Sequence, residues 1–260
     1  MSVETDAEEG FKTDVDGVAF GEYLDAVSAI CHEAVIEPHD GGTQTEAVDP
    51  ASVAMVRATL FAEAFNGGVE ATRFGFDPDR LGELLTDDPV TTLDYDADTR
   101  KLDMVTGRYR YTHAAHDPDT VRGTDGPPEM DLNFEGVIPA ADLKHAAEWF
   151  DGFTTYIRMG YDPGENEFWM EAIERNGDSM GTDDGCFSIP LLNPAERGHA
   201  DSHFSTDYFR DIVDAIPEGR MVTLQLGEEF PMMLSYPIHD GAGEPCGRVE
   251  FMQAPRIQSD

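Results

Sequence analysis

The sequence predicts an α+β protein of two similar domains, each built of antiparallel sheets with two short helices. Four segments repeat apolar residues at the i, i+3/i+4 spacing of an amphipathic helix. The stretches between them read as short strands separated by turn residues. The order helix, strands, helix, strands occurs twice, the second copy starting near Gly136.

The first helical pattern covers residues 20–34, with Tyr23, Leu24, Val27, Ile30 and Cys31 on one face. The second covers residues 77–85. There Asp77 is a cap, Pro78 suits the first turn, and Leu81, Leu84 and Leu85 share a face. Strand-like runs at 90–95 and 101–105 flank Asp96-Ala97-Asp98, a hairpin composition. Residues 108–115 alternate Tyr109, Tyr111 and His113. Residues 117–131 hold Asp117-Pro118, Gly123, Gly126, Pro127 and Pro128, the composition of a linker. The third helix, 139–150, starts at Pro139 and turns Leu143, Ala146, Ala147 and Phe150 inward. Runs at 153–159 and 167–173 flank Asp162-Pro163-Gly164-Glu165. In the fourth helix, 205–216, a Ser205 cap leads into Tyr208, Phe209, Ile212 and Val213, and Pro217 stops it. Runs at 222–226 and 232–236 flank Gly227-Glu228-Glu229.

The resulting division is a disordered acidic extension (1–14), a first domain (15–116), a linker (117–131) and a second domain (132–260). Such sheets leave edge strands, here at 108–115 and at 185–191 with Phe187 and Ile189. Two different edges pairing head to tail can close a ring; a monomer with edges blunted by charge is the alternative.

Composition narrows the function classes. The 260 residues carry 53 acidic and 17 basic side chains, a net charge of -36, with lysine only at 12, 101 and 144. At 40% hydrophobic and 10% aromatic content the chain can form cores, which argues against disorder. An acidic coat suits a cytoplasm of molar salt, where the Debye length of about 3 Å screens self-repulsion. A basic nucleic-acid-binding protein of the usual kind is excluded. Cys31, Cys186 and Cys246 lie far apart and suggest reduced thiols in the cytoplasm. No apolar run approaches the roughly 20 residues of a membrane span, and residues 1–10 lack the layout of a signal peptide.

Motifs for chemistry are lacking. The run Asp94-Tyr95-Asp96-Ala97-Asp98 has calcium-loop spacing, but Thr99 and Val105 stand where glycine and an acidic ligand are needed, so a hairpin turn is the better reading. His113 and His116 fall on opposite faces of a strand, and His199 and His203 lack a third ligand. No nucleophile elbow, phosphate loop or zinc-protease helix occurs. Neither an enzyme nor a cofactor is expected.

Six segments, in this order and spacing, carry a resemblance: AVDPASVAMVRATL (47–60), DADTRKL (96–102), HDPDTVR (116–122), ADSHFSTDYFRDIVDAI (200–216), GEEFPMMLSY (227–236) and APRIQSD (254–260). From about Val15 to Asp260 the chain resembles the proliferating cell nuclear antigen family of DNA sliding clamps, in its archaeal form. The resemblance implies the DNA clamp fold and a ring-shaped homotrimer whose helices line a channel around duplex DNA. It implies a non-enzymatic processivity factor, placed by a clamp loader, that tethers polymerase, nuclease and ligase clients through short peptides. Docking then falls to Val48, Ser52, Gly126, Pro127, Pro128, Pro231, Ala254, Pro255 and Ile257. Sequence-independent DNA contact falls to Arg73, Arg80, Lys144, His145 and Arg210. Subunit contact falls to Tyr109, Tyr111, His113, Trp149, Phe150, Phe187 and Ile189.

Departures point to a diverged member. The first helix has no basic residue and carries Glu22 and Asp25, Pro127 replaces an aliphatic linker residue, and residues 240–247 lengthen a turn. A non-encircling paralogue that regulates by binding clients or joining a main clamp is the alternative, with an acidic DNA mimic a distant third.

Overall fold

Alternating burial along most strands sets the sheets, and a computed structural model describes residues 10–39, 41–66, 72–152, 154–165, 167–173, 186–189, 191 and 198–256. Two compact units each gather three stretches of chain. The first comprises Met1–Ala47, Arg57–Thr124 and Pro237–Arg248. The second comprises Val48–Val56, Asp125–Tyr236 and Val249–Asp260.

In the first unit, β1 (Phe11–Asp16), β5 (Phe65–Asn66), β7 (Val90–Asp96), β8 (Lys101–Thr106) and β9 (Tyr109–Ala114) form one antiparallel sheet, ordered β5-β1-β7-β8-β9. Its β1–β7 register sets Lys12 opposite Asp94, and their charged groups meet at 2.9 Å. Strands β2 (Ala34–His39), β3 (Gly42–Val48), β4 (Ala54–Leu60) and β6 (Phe74–Phe76) follow the order β4-β3-β2-β6. Helices α1 (Gly17–Ser28) and α2 (Pro78–Leu84) pack together. Phe20, Tyr23, Leu24, Phe74, Phe76 and Leu81 fill the core between these elements.

Helix α1 begins and ends earlier than the apolar spacing predicts. The Asp16 carboxylate accepts the N–H groups of Val18 and Ala19, so the helix starts at Gly17. Ile30 and Cys31 bond back to the Val27 carbonyl in a closing turn, buried yet outside the helix. The local signals of α2 hold: Asp77 accepts from Arg80 N–H at 2.8 Å and Pro78 occupies the first turn. The acidic 94–98 run ends β7 and enters the β7–β8 hairpin turn at 97–100, with Asp96 accepting from Thr99 N–H.

The Asp79 carboxylate of α2 clasps the end of α1, accepting from Ser28 and from His32 Nδ1 at 2.6 Å. That hydrogen bond and the Asp79 charge raise the His32 pKa. A raised folded-state pKa stabilises fully below the unfolded value of about 6.5 and is lost as pH rises through the folded value. His32→Gln is therefore expected to lower the melting midpoint more at pH 5.5 than at pH 9, read as paired thermal melts in molar KCl.

In the second unit, β10 (Phe134–Pro139), β15 (Met221–Leu226), β16 (Met232–His239) and β17 (Pro245–Gln253) follow one another in sheet order. Strands β11 (Tyr156–Asp162), β12 (Glu167–Ile173), β13 (Cys186–Ile189) and β14 (Ala200–Ser205) form a sheet ordered β13-β12-β11-β14. Helices α3 (Ala140–Asp151) and α4 (Thr206–Asp214) pack together. Phe134, Phe150, Phe168, Phe204, Phe209 and Phe251 are fully enclosed.

Three sequence expectations shift here. Ser205 precedes α4 but makes no side-chain cap; the first N–H, from Thr206, goes instead to the Thr155 carbonyl at 3.0 Å. The strand expected at 153–159 is β11, because Thr154 Oγ1 bonds the backbone of Tyr156 and Ile173 and starts pairing at Tyr156; Phe153 lies outside the described residues. The 240–247 insertion is a shorter turn. Asp240 accepts from Ala242 and Glu244 N–H at 2.9 Å each, and pairing resumes at Pro245. Gly247 already lies in β17, where a Cβ would come within 2.4 Å of the Thr59 carbonyl oxygen. No helix among the described residues is long and apolar enough to cross a membrane.

Candidate functional site

Several residues expected to dock clients converge within the second unit, through a polar framework that periodicity does not reveal. Asp49, only 3% exposed, organises the 49–54 loop. Its Oδ1 accepts from Val53 N–H (2.6 Å) and Ala54 N–H (2.7 Å), and its Oδ2 from Ala51 N–H and the Tyr208 hydroxyl, both 2.8 Å. Burial pushes its pKa up, but the bonds from Ala54, Tyr208, Ala51 and Val53 outweigh that and hold it below the usual carboxylate range. Tyr208 is pushed up to about 12 by burial and by Asp49. Ser52 takes a left-handed conformation (φ 60°) at the tip of the loop, and Val48 enters it half-buried.

The tail docks on this loop and on β14. Ala254 N–H donates to the Val53 carbonyl (2.7 Å), and Arg256 N–H to the His203 carbonyl (2.8 Å). Gln253 Nε2 reaches the Ser205 carbonyl at 2.9 Å. One residue along, Ser202 Oγ donates within 3.1 Å of the Gly227 and Phe230 carbonyls and accepts from Phe230 N–H. That buckles the loop carrying Pro231 onto the same strand and leaves Phe230 55% exposed. Strand β14 therefore holds the loop that carries Pro231 and the tail at Arg256, while Ala254 is fastened to the Asp49 loop that follows Val48 and carries Ser52. In the linker, Gly126 (φ 68°) and Pro127 are buried and Pro128 is exposed. Ile257 lies outside the described residues. Sequence reading missed Asp49, Tyr208, Ser202 and Arg256; the turn-forming Asp49-Pro50 pair was the one local signal.

The basic side chains expected to meet DNA are engaged within the chain. Arg73 bonds Glu37 (2.9 Å) and Asp119 (2.7 Å), and Arg80 bonds Glu83 (3.0 Å). Arg210 bonds Asp151 (2.7 Å) and Asp211 (3.2 Å). Lys144 donates to the Asp214 carbonyl at 2.9 Å, and the His145 ring packs 5.7 Å from that of Phe187. Exposed pairs of this kind are worth about 0–1 kcal/mol, so exchange for a phosphate costs little.

Both expected edges are terminal strands of their described sheets: β9 in the first unit and β13 in the second. On β9, Tyr109 is 50% exposed and stacks with Tyr111. His113 is half-buried there, and its ring meets that of His116 edge-on at 6.2 Å. The two therefore share a side despite their spacing, because His116 lies beyond β9 in a bridge with Gly75. Among the described residues no cluster of three potential metal ligands forms. Trp149, 36% exposed, faces Phe187 of β13 with ring centroids 6.3 Å apart. Phe150 and Ile189 need correction: both side chains are sealed in the core and present no surface to a neighbour. The inward stripe of α3 claims Phe150, and strand alternation turns Ile189 inward.

No protein-family model matches the chain. It is 37% identical over 260 residues to the DNA polymerase sliding clamp of Natronomonas pharaonis, covering 96% of this chain and 100% of that one. It is 35% identical over 256 residues to that of Halobacterium salinarum, with the same coverage. Among solved structures, A. fulgidus PCNA bound to the C-terminal region of FEN-1 aligns with a TM-score of 0.81 at 26% identity, over 96% of this chain and 99% of that one. PCNA from Thermococcus kodakaraensis shares the fold at a TM-score of 0.77 and 21% identity, over 94% of this chain and 99% of that one. With sequence relatives matched along nearly their whole length, and with antiparallel sheets and paired helices in each unit, the chain belongs to the DNA polymerase sliding clamps, the PCNA family.

Proposed function

We propose that three copies of this chain close head to tail into a ring around duplex DNA and hold polymerase, nuclease and ligase clients by short peptides, without catalysing a reaction. The observation that carries closure is the pair of unlike terminal strands: β9 with its exposed tyrosines, and β13 beside Trp149 and Phe187. Unlike edges make a heterologous contact, and a heterologous contact closes when its rotation divides a circle. Peptide docking is supported by A. fulgidus PCNA, which has the C-terminal region of FEN-1 bound to it, and by the loop, β14 and tail of this chain.

Arg73, Arg80, Lys144 and Arg210 are proposed to line the channel, trading weak pairs for phosphate as DNA passes. In molar salt such contacts add little affinity because counterion release is then weakly favourable. Retention is topological.

Native mass measurement in about 2 M KCl, where surface repulsion is screened, is expected to give a homotrimer. Polymerase stimulation is expected on circular but not linear primed DNA when a clamp loader is present. A monomer at every salt concentration overturns ring closure. It favours instead the non-encircling paralogue, the reading consistent with basic side chains that stay paired to carboxylates.

A further inference from the structure

Arg256 differs from most of the paired arginines in what its guanidinium meets. Arg57, Arg73, Arg80, Arg100, Arg110, Arg158 and Arg210 each have a carboxylate oxygen within 4 Å. Arg256 has none among the described residues, on a chain where acids outnumber bases 53 to 17. Its guanidinium carbon lies over the Tyr156 ring, 4.0 Å from the centroid, and its backbone N–H is pinned by the His203 carbonyl. Stacking holds the guanidinium plane still and leaves its in-plane N–H donors unspent.

The neighbouring arginine shows what those donors suit. Arg158, two residues along β11 from Tyr156, also lies over an aromatic ring, that of Trp169 at 5.1 Å. It grips both Asp201 oxygens in a fork and has Glu171 at 3.7 Å. The same face of the sheet therefore holds two stacked guanidiniums, one supplied with carboxylates and one not. His203, which lies between their strands, is held toward its neutral form by burial, with Arg158 and Arg256 adding to that, so it brings no competing charge.

Position gives the vacant fork its meaning. Arg256 follows Ala254 and Pro255, the segment fastened to Val53 at the docking loop. A peptide lying along the tail brings its flank over Arg256. We propose, building on peptide docking at this tail, that Arg256 stacked on Tyr156 reads a carboxylate, selecting client peptides with an Asp or Glu beside their apolar anchors. Charge complementarity singles out this partner: the acidic coat repels such a peptide over most of the surface, whereas Arg256 beside the docked tail presents a stacked cation to it. A direct two-point contact also survives molar salt, where attraction beyond about 3 Å is screened.

The probe is the C-terminal region of FEN-1, made as a peptide series in which a single Glu, or Ala as reference, is walked along the residues flanking the anchors. Fluorescence anisotropy in 2 M KCl gives Kd for each. At one position Glu is expected to tighten binding about five-fold over Ala. In Arg256→Gln the Glu-to-Ala ratio is expected to fall to about one, whatever the absolute affinity. A ratio that persists in Arg256→Gln, or Glu indifferent at every position, overturns the inference while docking itself stands. Failure of the whole series to bind the folded protein overturns the docking reading and this inference with it.

Discussion

Asp49→Ala is expected to destabilise the protein by about 3 kcal/mol and to weaken client-peptide binding at least ten-fold. One nearly enclosed carboxylate accepts three backbone N–H groups and the Tyr208 hydroxyl. Alanine removes all four acceptor contacts and strands donors that have no other partner at that point. Each bond to a charged group contributes about 1.5–3 kcal/mol, but loop relaxation and water entry recover part of the sum. Binding suffers because Val53, whose carbonyl holds Ala254, is itself held by Asp49. Tyr208→Phe deletes one contact and is expected to give a smaller loss, about 1 kcal/mol. The folded-state pKa of Asp49 is depressed, so its contribution is present above the unfolded value of about 3.9 and lost as pH falls through the folded value. Urea unfolding in 2 M KCl together with peptide anisotropy checks both effects. Unchanged peptide binding in a folded Asp49→Ala protein removes this loop from the docking site.

The second large effect separates two adjacent aromatic residues at the end of α3. Phe150 is fully enclosed, so Phe150→Ala is expected to cost about 3–5 kcal/mol through lost burial and the cavity left behind. Trp149, its ring 4.9 Å away, is 36% exposed and faces Phe187. Trp149→Ala is expected to change the stability of the isolated chain by no more than about 1 kcal/mol. It is expected to act instead on the proposed self-association, shifting native mass from trimer toward monomer at equal concentration. Urea midpoints and native mass on both variants test the contrast, and the opposite pattern makes Trp149 the core residue and Phe150 the surface one.

Local chemistry made much of the fold legible. Asp77 and Pro78 announce α2 because a cap and a first-turn proline act on their own neighbours. The β7–β8 hairpin was readable because Asp96 and its turn are contiguous. Helix α1 was misplaced because its true cap, Asp16, lies ahead of the most periodic stretch, and because Ile30 and Cys31 are buried without being helical. The framework proposed for docking was hardly readable. Asp49 and Tyr208 are 159 positions apart, and Ser202, which buckles the Pro231 loop, is one small polar residue among many.

By itself the sequence determined the class of protein, the four helices, the hairpins and the acidic coat. Periodicity, turn residues and net charge all act at short range or in bulk. Only the tertiary structure decided which polar groups meet. It spent Arg73, Arg80 and Arg210 on nearby carboxylates, enclosed Phe150 while leaving Trp149 at the surface, and laid Arg256 over Tyr156 with no acidic partner among the described residues. The physical reason is that burial and pairing belong to sheet register and strand order, and those bring together residues whose separation along the chain carries no local signal.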